Sequence, residues 1–334
     1  MIKTALIFVP HQDDELNIAG TIIDQMVAAN VQITVCFLTN GDWRNEQEKR
    51  LIETERVANI LGYKNIIYLG YGDGGFDNSL YYALDDTEII KSPAGKTETY
   101  GIGNKEDYHY QKYKQHAKYT KSNVKNDIKD VIKEINADII FCIDKDEHPD
   151  HKLLSEQFDN AIIEIIETTC YRPIVLKAFA YLGVFYGKPD YFIRPMQQTI
   201  CKSYGKWARN DCKPYNWDER ICLAVNESIF PLLWWKSKLF KALRTYKTQN
   251  GIKFYPRICN ADAVYWFYDT SSGKYTVSRD FPIEKTPFRF YEKSNEKRKV
   301  HSVLKMLYDL YLLITCRIPR KIRRILQKCF QSKN

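Results

Sequence analysis

Apolar residues run without a polar face through Thr4–Val9 and again through residues 138–143. Runs of that length predict strands covered on both sides, the kind found in parallel sheets. Between them the period lengthens to helical spacing over residues 16–29, then returns to a strand over 32–38. A helix follows over 46–61, closed by Gly62 as a C-cap, and a third strand over 65–69. After an interruption over 70–120, rich in Gly, Tyr and Lys, the alternation resumes. It predicts a helix at 122–135, the strand at 138–143, a helix at 151–167 and a strand at 174–182. Strands alternating with helices imply right-handed βαβ units, an α/β class with a Rossmann-like, mostly parallel sheet and helices on both faces. Beyond residue 190 the pattern breaks into short strands and helices, with a helix expected over 238–247. Residues 297–331 return to helical spacing, then become basic. The division expected is one domain over 1–295, with 70–120 as a substrate-loop excursion, and a basic amphipathic tail over 296–334.

Charge sharpens that division. The chain of 334 residues has a net charge of +9, yet residues 285–334 alone carry 14 Lys and Arg against 3 Asp and Glu. The remaining 284 residues hold 36 basic and 38 acidic side chains, so the basic character belongs to the tail. No basic patch on the folded body argues for nucleic acid, and none is expected as a partner. Nine scattered cysteines without a C-x-x-C pair fit a reduced protein, and Cys36 and Cys142 fall inside strand patterns. With no apolar run long enough to cross a bilayer and no charged lead before an apolar signal core, the expected location is the cytoplasm.

The chemistry gathers in two strings, Pro10-His11-Gln12-Asp13-Asp14-Glu15 after the first strand and His148-Pro149-Asp150-His151 after the fourth. Segments leaving the carboxyl ends of parallel strands converge on one crevice. Two imidazoles and a carboxylate there make a three-ligand zinc site with an open fourth position. Asp13 and Asp14 are neighbours and must point differently, so one can ligate while the other serves a water molecule as base. His148 and His151 stand at i and i+3, with Pro149 suited to the first turn of the following helix. A protonated His148 across the site could steady an oxyanion or protonate a leaving amine.

These residues resemble a known family. Pro10 to Glu15 is similar to the P-H-x-D-D-E signature of the PIG-L/LmbE-like zinc de-N-acetylases, and His148 to His151 to their later H-x-D-H. The resemblance continues through Thr39-Asn40-Gly41-Asp42, through Arg50, Glu53, Ala58, Leu61 and Gly62, and through Leu69 to Gly74. It implies His11, Asp14 and His151 as zinc ligands, Asp13 as general base and His148 facing the oxyanion. Leu69 to Gly74 is similar to a loop whose Asp contacts substrate. Arg50 and Asp73 are read either as holding sugar hydroxyls or as an ordinary helix-surface charge and a turn Asp. Gln12 replaces a commoner Pro, and Tyr246 stands where many members have His. The implied reaction removes an acetyl group from an N-acetylglucosamine-type sugar on a glycolipid or glycoconjugate, with Zn2+, or another divalent ion such as Fe2+, as cofactor.

Three side issues complete the reading. His109 and His116 are expected at the surface rather than at a metal, and the Trp234-Trp235 pair in a core or interface. The apolar stripe over 301–316 and the basic residues from Arg317 to Lys328 suit either a helix lying on an anionic membrane surface, beside lipid-linked sugar, or one that docks Leu307, Leu310 and Ile314 on the catalytic body with its basic end as a solvated cap. The rival to the enzyme is a membrane-surface binding protein with a vestigial metal site. Intact Asp13 argues against it, because structural zinc is normally closed by four protein ligands.

Overall fold

The computed structural model describes residues 1–180, 185–186, 198–201, 216–229, 236–258 and 260–292. The Trp234-Trp235 pair and the tail over 296–334 lie outside them. Five parallel strands form the body: β1 Thr4–Val9, β2 Gln32–Thr39, β3 Asn65–Tyr71, β4 Ile139–Ile143 and β5 Ile174–Ala178. Three more, β6 Ile221–Ala224, β7 Asp262–Asp269 and β8 Thr276–Ser278, extend the same sheet antiparallel. The order is β8-β7-β5-β4-β1-β2-β3, with β6 paired to β7. The α/β class and mostly parallel sheet therefore stand as expected. The part expected to be irregular supplies an ordered antiparallel edge.

β1 pairs β4 from Ala5↔Ile139 to Phe8↔Cys142 and β2 from Thr4↔Gln32 to Val9↔Phe37. The chain thus winds outward in opposite directions from this pair, toward β3 on one side and β5 on the other. The carboxyl ends of β1 and β4 flank the switch point, where open α/β sheets bind ligands. Both strands are buried along nearly their whole length, Thr4 alone being partly exposed. The short helix α4 Tyr108–Tyr113 belongs to the excursion, and helices α5 Lys121–Ile135 and α6 Pro149–Thr168 pack together against the sheet. Helix α3 Gln47–Leu61 packs against α7 Lys238–Thr245.

Two helices differ from the sequence pattern in ways that matter at the site. The helix expected over 16–29 is two, α1 Asp14–Ile18 and α2 Ile23–Ala28. The break falls at Gly20, a poor helix former whose missing Cβ admits Leu239 of α7, 2.9 Å from where that atom would stand. The helix expected to begin at His151 begins at Pro149, with His148 as its N-cap. The second string is therefore itself a helix N-terminus, and its histidines are set by helical geometry.

Beneath the site, Lys177 of β5 is wholly buried. Its ammonium lies 2.7 Å from Asp159 and 3.3 Å from Asp144, and donates to the Ser155 hydroxyl at 2.7 Å. Removing one partner of such a network strands a charge. Asp144→Ala should lower unfolding free energy by about 3–5 kcal/mol in urea denaturation, and a loss under 1 kcal/mol would show that the network is not coupled to stability.

Candidate active site

The first string leaves β1 in a tight turn in which the Asp14 N–H bonds the His11 carbonyl at 3.2 Å. Asp13 takes a left-handed conformation, φ 113°, that a residue with a Cβ rarely adopts. Glu15 holds it there: its Oε2 accepts the Asp13 N–H at 3.0 Å, and its Oε1 accepts the Tyr246 hydroxyl at 2.6 Å. Tyr246, which stands where many members of the resembling family have His, is fully buried and serves as a strut from the end of α7. Gln12 is buried too, its Nε2 donating to the Thr39 carbonyl at 3.2 Å, and it is no ligand.

The two strings meet. Asp14 Oδ2 lies 3.1 Å from His11 Nδ1 and 3.2 Å from His151 Nε2. The rings of His11, His148 and His151 stand 4.7–5.4 Å apart, all buried. Two carboxylates that sequence reasoning passed over orient the imidazoles from behind. Asp150 Oδ2 sits 3.0 Å from His11 Nε2, and Asp146 Oδ2 2.8 Å from His151 Nδ1. Each leaves the opposite ring nitrogen facing Asp14, the carboxylate–imidazole arrangement usual behind a metal ligand. Asp150 was legible inside the second string. Asp146 had only its place two residues before His148 as a signal.

The donor set fits a divalent cation. Asp14 Oδ2 stands from one nitrogen of each imidazole at close to the separation of two ligands around a tetrahedral ion bound at about 2.0–2.2 Å. Five buried acidic side chains, Asp13, Asp14, Asp73, Asp146 and Asp150, stand among three buried histidines and Arg50, a surplus of acidic groups that a cation would balance. Among the described residues, the trios whose ligand atoms all lie within 4.8 Å of one another are His11, His148 and His151, and His11, Asp73 and Asp150.

Electrostatics follows from this crowding. Burial would lower His11, but Asp73, Asp14 and Asp150 outweigh it and raise it well above an ordinary histidine. Burial opposes charge on His151 as well, yet Asp146 and Asp14 lift it to about 9. Burial would raise Asp14, and His151 and His11 pull it far below the usual carboxylate range. Burial first, and Asp14 next, push Asp13 well up. His148 goes the other way: burial and the charges on His11 and His151 drive it to about 2. That direction disfavours the protonated imidazole expected there. Its Nδ1 accepts the Asp150 N–H at 3.2 Å as the helix cap, so its proton sits on Nε2.

Arg50 and Asp73 are both buried and paired, Arg50 Nη1 to Asp73 Oδ2 at 3.4 Å. They line a cavity of about 530 Å³ together with His11, Asp13, Asp14 and His148. The loop Thr39–Asp42 staples its rim, with Asp42 accepting the Asp73 N–H at 2.7 Å and the Tyr100 hydroxyl at 2.6 Å. His109 and His116 stand apart from it, paired with Asp127 and Asp107 at 2.6 and 2.7 Å. Expected at the surface, both are only partly exposed, and they anchor the excursion to buried carboxylates.

Residues 6–162, which carry both strings, match the family described as PIG-L, GlcNAc-PI de-N-acetylase. That segment is a PIG-L family segment. No curated protein matches the chain. Among solved structures, an N,N'-diacetylchitobiose deacetylase from Pyrococcus horikoshii, complexed with the inhibitor MPG, is 16% identical. It aligns over 58% of this chain and 64% of its own, with a TM-score of 0.36. A deacetylase of teicoplanin biosynthesis, in complex with teicoplanin, is 13% identical over 79% of this chain and 97% of its own, TM-score 0.42. The hydratase GalB from Pseudomonas putida KT2440 is 15% identical over 53% and 66%, TM-score 0.33. Likeness this shallow decides nothing about activity, and the hydratase stands beside the deacetylases.

The strut under Asp13 makes a pH prediction. Burial lifts Glu15 from its ordinary 4.5 to about 7. The native metal-free protein then binds more protons than the unfolded chain, so this contribution to stability is full below about pH 4.5. It is lost as pH rises through about 7. Urea unfolding between about pH 5 and pH 8 should show a shallower decline in Glu15→Gln than in the parent. Parallel pH profiles would mean that Glu15 titrates normally.

Proposed function

We propose that this protein is a metal-dependent N-deacetylase that hydrolyses the acetamido group of an N-acetylglucosamine-type sugar on a glycolipid or glycoconjugate, giving acetate and a free amine. The observation that carries the reading is the Asp14 carboxylate bracketed at 3.1 and 3.2 Å by His11 and His151, inside a segment matching a de-N-acetylase family. His11, Asp14 and His151 would hold the ion, with Asp150 and Asp146 fixing the ring orientations. Zn2+, or another divalent ion such as Fe2+, supplies Lewis acidity and brings a water within reach of deprotonation near neutral pH.

The chain's own groups divide the remaining work. Asp13 lies at the cavity beside Asp14, held by its backbone strut, and takes the proton of the attacking water as the carbon–oxygen bond forms. It returns that proton to the nitrogen as the carbon–nitrogen bond breaks, so water is consumed and the amine leaves neutral. His148, neutral with its proton on Nε2, acts by donating a hydrogen bond to the carbonyl oxygen as charge develops. It is not an acid here, since giving up that proton would leave an anionic imidazolate. The Arg50–Asp73 pair offers both a donor and an acceptor to sugar hydroxyls.

Two experiments test this. Purified protein should carry about one divalent ion per chain, lost in His11→Ala and His151→Ala with the circular dichroism unchanged. Asp13→Asn should keep the ion while acetate release from N-acetylglucosamine conjugates falls by about 10²–10⁴-fold. Metal retained in all ligand variants, or Asp13→Asn at full rate, would overturn the assignment.

The membrane contact of residues 301–334 and a cytoplasmic location belong to the same proposal and rest on the sequence pattern. Among the described residues no helix is long and apolar enough to cross a membrane. Flotation should recover the full chain with acidic vesicles at low salt. A variant with Arg317, Arg320, Lys321, Arg323, Arg324 and Lys328 replaced by Gln should be left behind. Equal flotation by both would remove the tail from membrane binding.

A further inference from the structure

We infer that Trp43 and Phe76 form an aromatic wall at the cavity mouth that seats the pyranose ring of the substrate, an inference that rests on the deacetylase reading for the identity of the sugar. Both side chains line the cavity that holds Asp13, Asp14 and His148. They are 40% and 51% exposed, large apolar groups left open at the lip of an otherwise polar, charged site. A scattered exposed aromatic needs no explanation, but two flanking one cavity do.

Their seating is built. Trp43 directly follows Asp42, whose carboxylate is tied to the Asp73 N–H and the Tyr100 hydroxyl. Phe76 follows the Asp73–Gly75 turn, in which the Gly75 N–H donates to Asp73 Oδ1 at 3.1 Å. Between them stands Gly75 with φ 57°, and a Cβ there would fall 2.2 Å from the six-membered ring of Trp43. Glycine at 75 is thus what lets the indole lie on the backbone of the β3 loop. The Phe76 ring lies 4.7 Å from the imidazole of His148. A ring resting on this wall is therefore one side chain away from the donor aimed at the reacting carbonyl.

The chemistry of the remaining lining selects the ligand. Thr248, Gln249 and the Arg50–Asp73 pair add hydroxyl, amide and charged groups to the same cavity. A pyranose has a face of C–H bonds and an edge of hydroxyls, and meets both kinds of surface at once. An alkyl chain would satisfy the aromatic wall but offer the polar lining no hydrogen bond in place of the water it displaces. A cavity of about 530 Å³ exceeds what an acetamide needs and lies within the range of sites that enclose whole ligands.

Binding can be measured without turnover. Metal-loaded Asp13→Asn protein, titrated calorimetrically with methyl N-acetyl-β-D-glucosaminide, should bind about ten-fold more weakly once Trp43→Ala is added, the scale of one aromatic contact. Trp43→Phe should recover most of that loss, and Phe76→Leu on the other side of Gly75 should weaken binding in the same direction. The acyclic amide N-acetylethanolamine should lose less, so that the preference for the pyranoside falls. Unchanged affinity in Trp43→Ala and Phe76→Leu, equal losses for both ligands, or no binding of the pyranoside by the parent would each overturn the wall. Acetate release by the enzyme with Asp13 intact is scored separately. Trp43-dependent binding without acetate release would defeat the deacetylase reading and leave the sugar-binding wall standing.

Discussion

The parallel pairing of β1 with β4, Ala5 to Phe8 against Ile139 to Cys142, is the constraint from which the site descends. Two segments separated by more than a hundred residues are forced to end side by side because their backbones share one ladder. Everything that leaves those ends must share a crevice: the His11–Asp14 turn from one strand, the cap of α6 from the other. A register slip of one residue would turn the apolar strand faces over and carry the strings apart. Continuous burial of Ala5–Val9 and of Ile139–Ile143 makes such a slip expensive, since both faces of each strand are already packed.

Once the strings are adjacent, their electrostatics is that of an incomplete charge set. Asp14 favours charge on His11 and His151, Asp146 and Asp150 reinforce it from behind, and burial together with the positive charge beside it disfavours charge on His148. A bound cation would replace the two imidazole protons as the partner of these carboxylates, so the same geometry that stabilises protons is the one that would hold a metal. The supports are as deliberate as the ligands. Tyr246, 231 residues from Glu15, meets it at 2.6 Å, and Glu15 in turn holds Asp13 in a conformation it would not adopt alone. Substituting tyrosine for the histidine common in the resembling family therefore alters a strut below the floor rather than a contact with substrate.

The sequence by itself determined the strands, since five apolar runs needed no tertiary help to be seen, and it determined which residue types stand at the ends of two of them. It placed Gly62 at the end of α3, where φ 92° confirms the left-handed cap. Such features are local, set by periodicity, turn chemistry and spacing within a few residues. Only the tertiary structure decided that β1 and β4 are neighbours, that the helix after Glu15 breaks at Gly20 to receive Leu239, and that α6 starts early enough to make His148 its cap. It also supplied Asp146 and Asp150 behind the imidazoles, Tyr246 beneath Glu15, and Trp43 laid on Gly75. Each of these is a contact whose partner is chosen by how the sheet is ordered and how loops close over it, and no pattern along the chain encodes a distance across it.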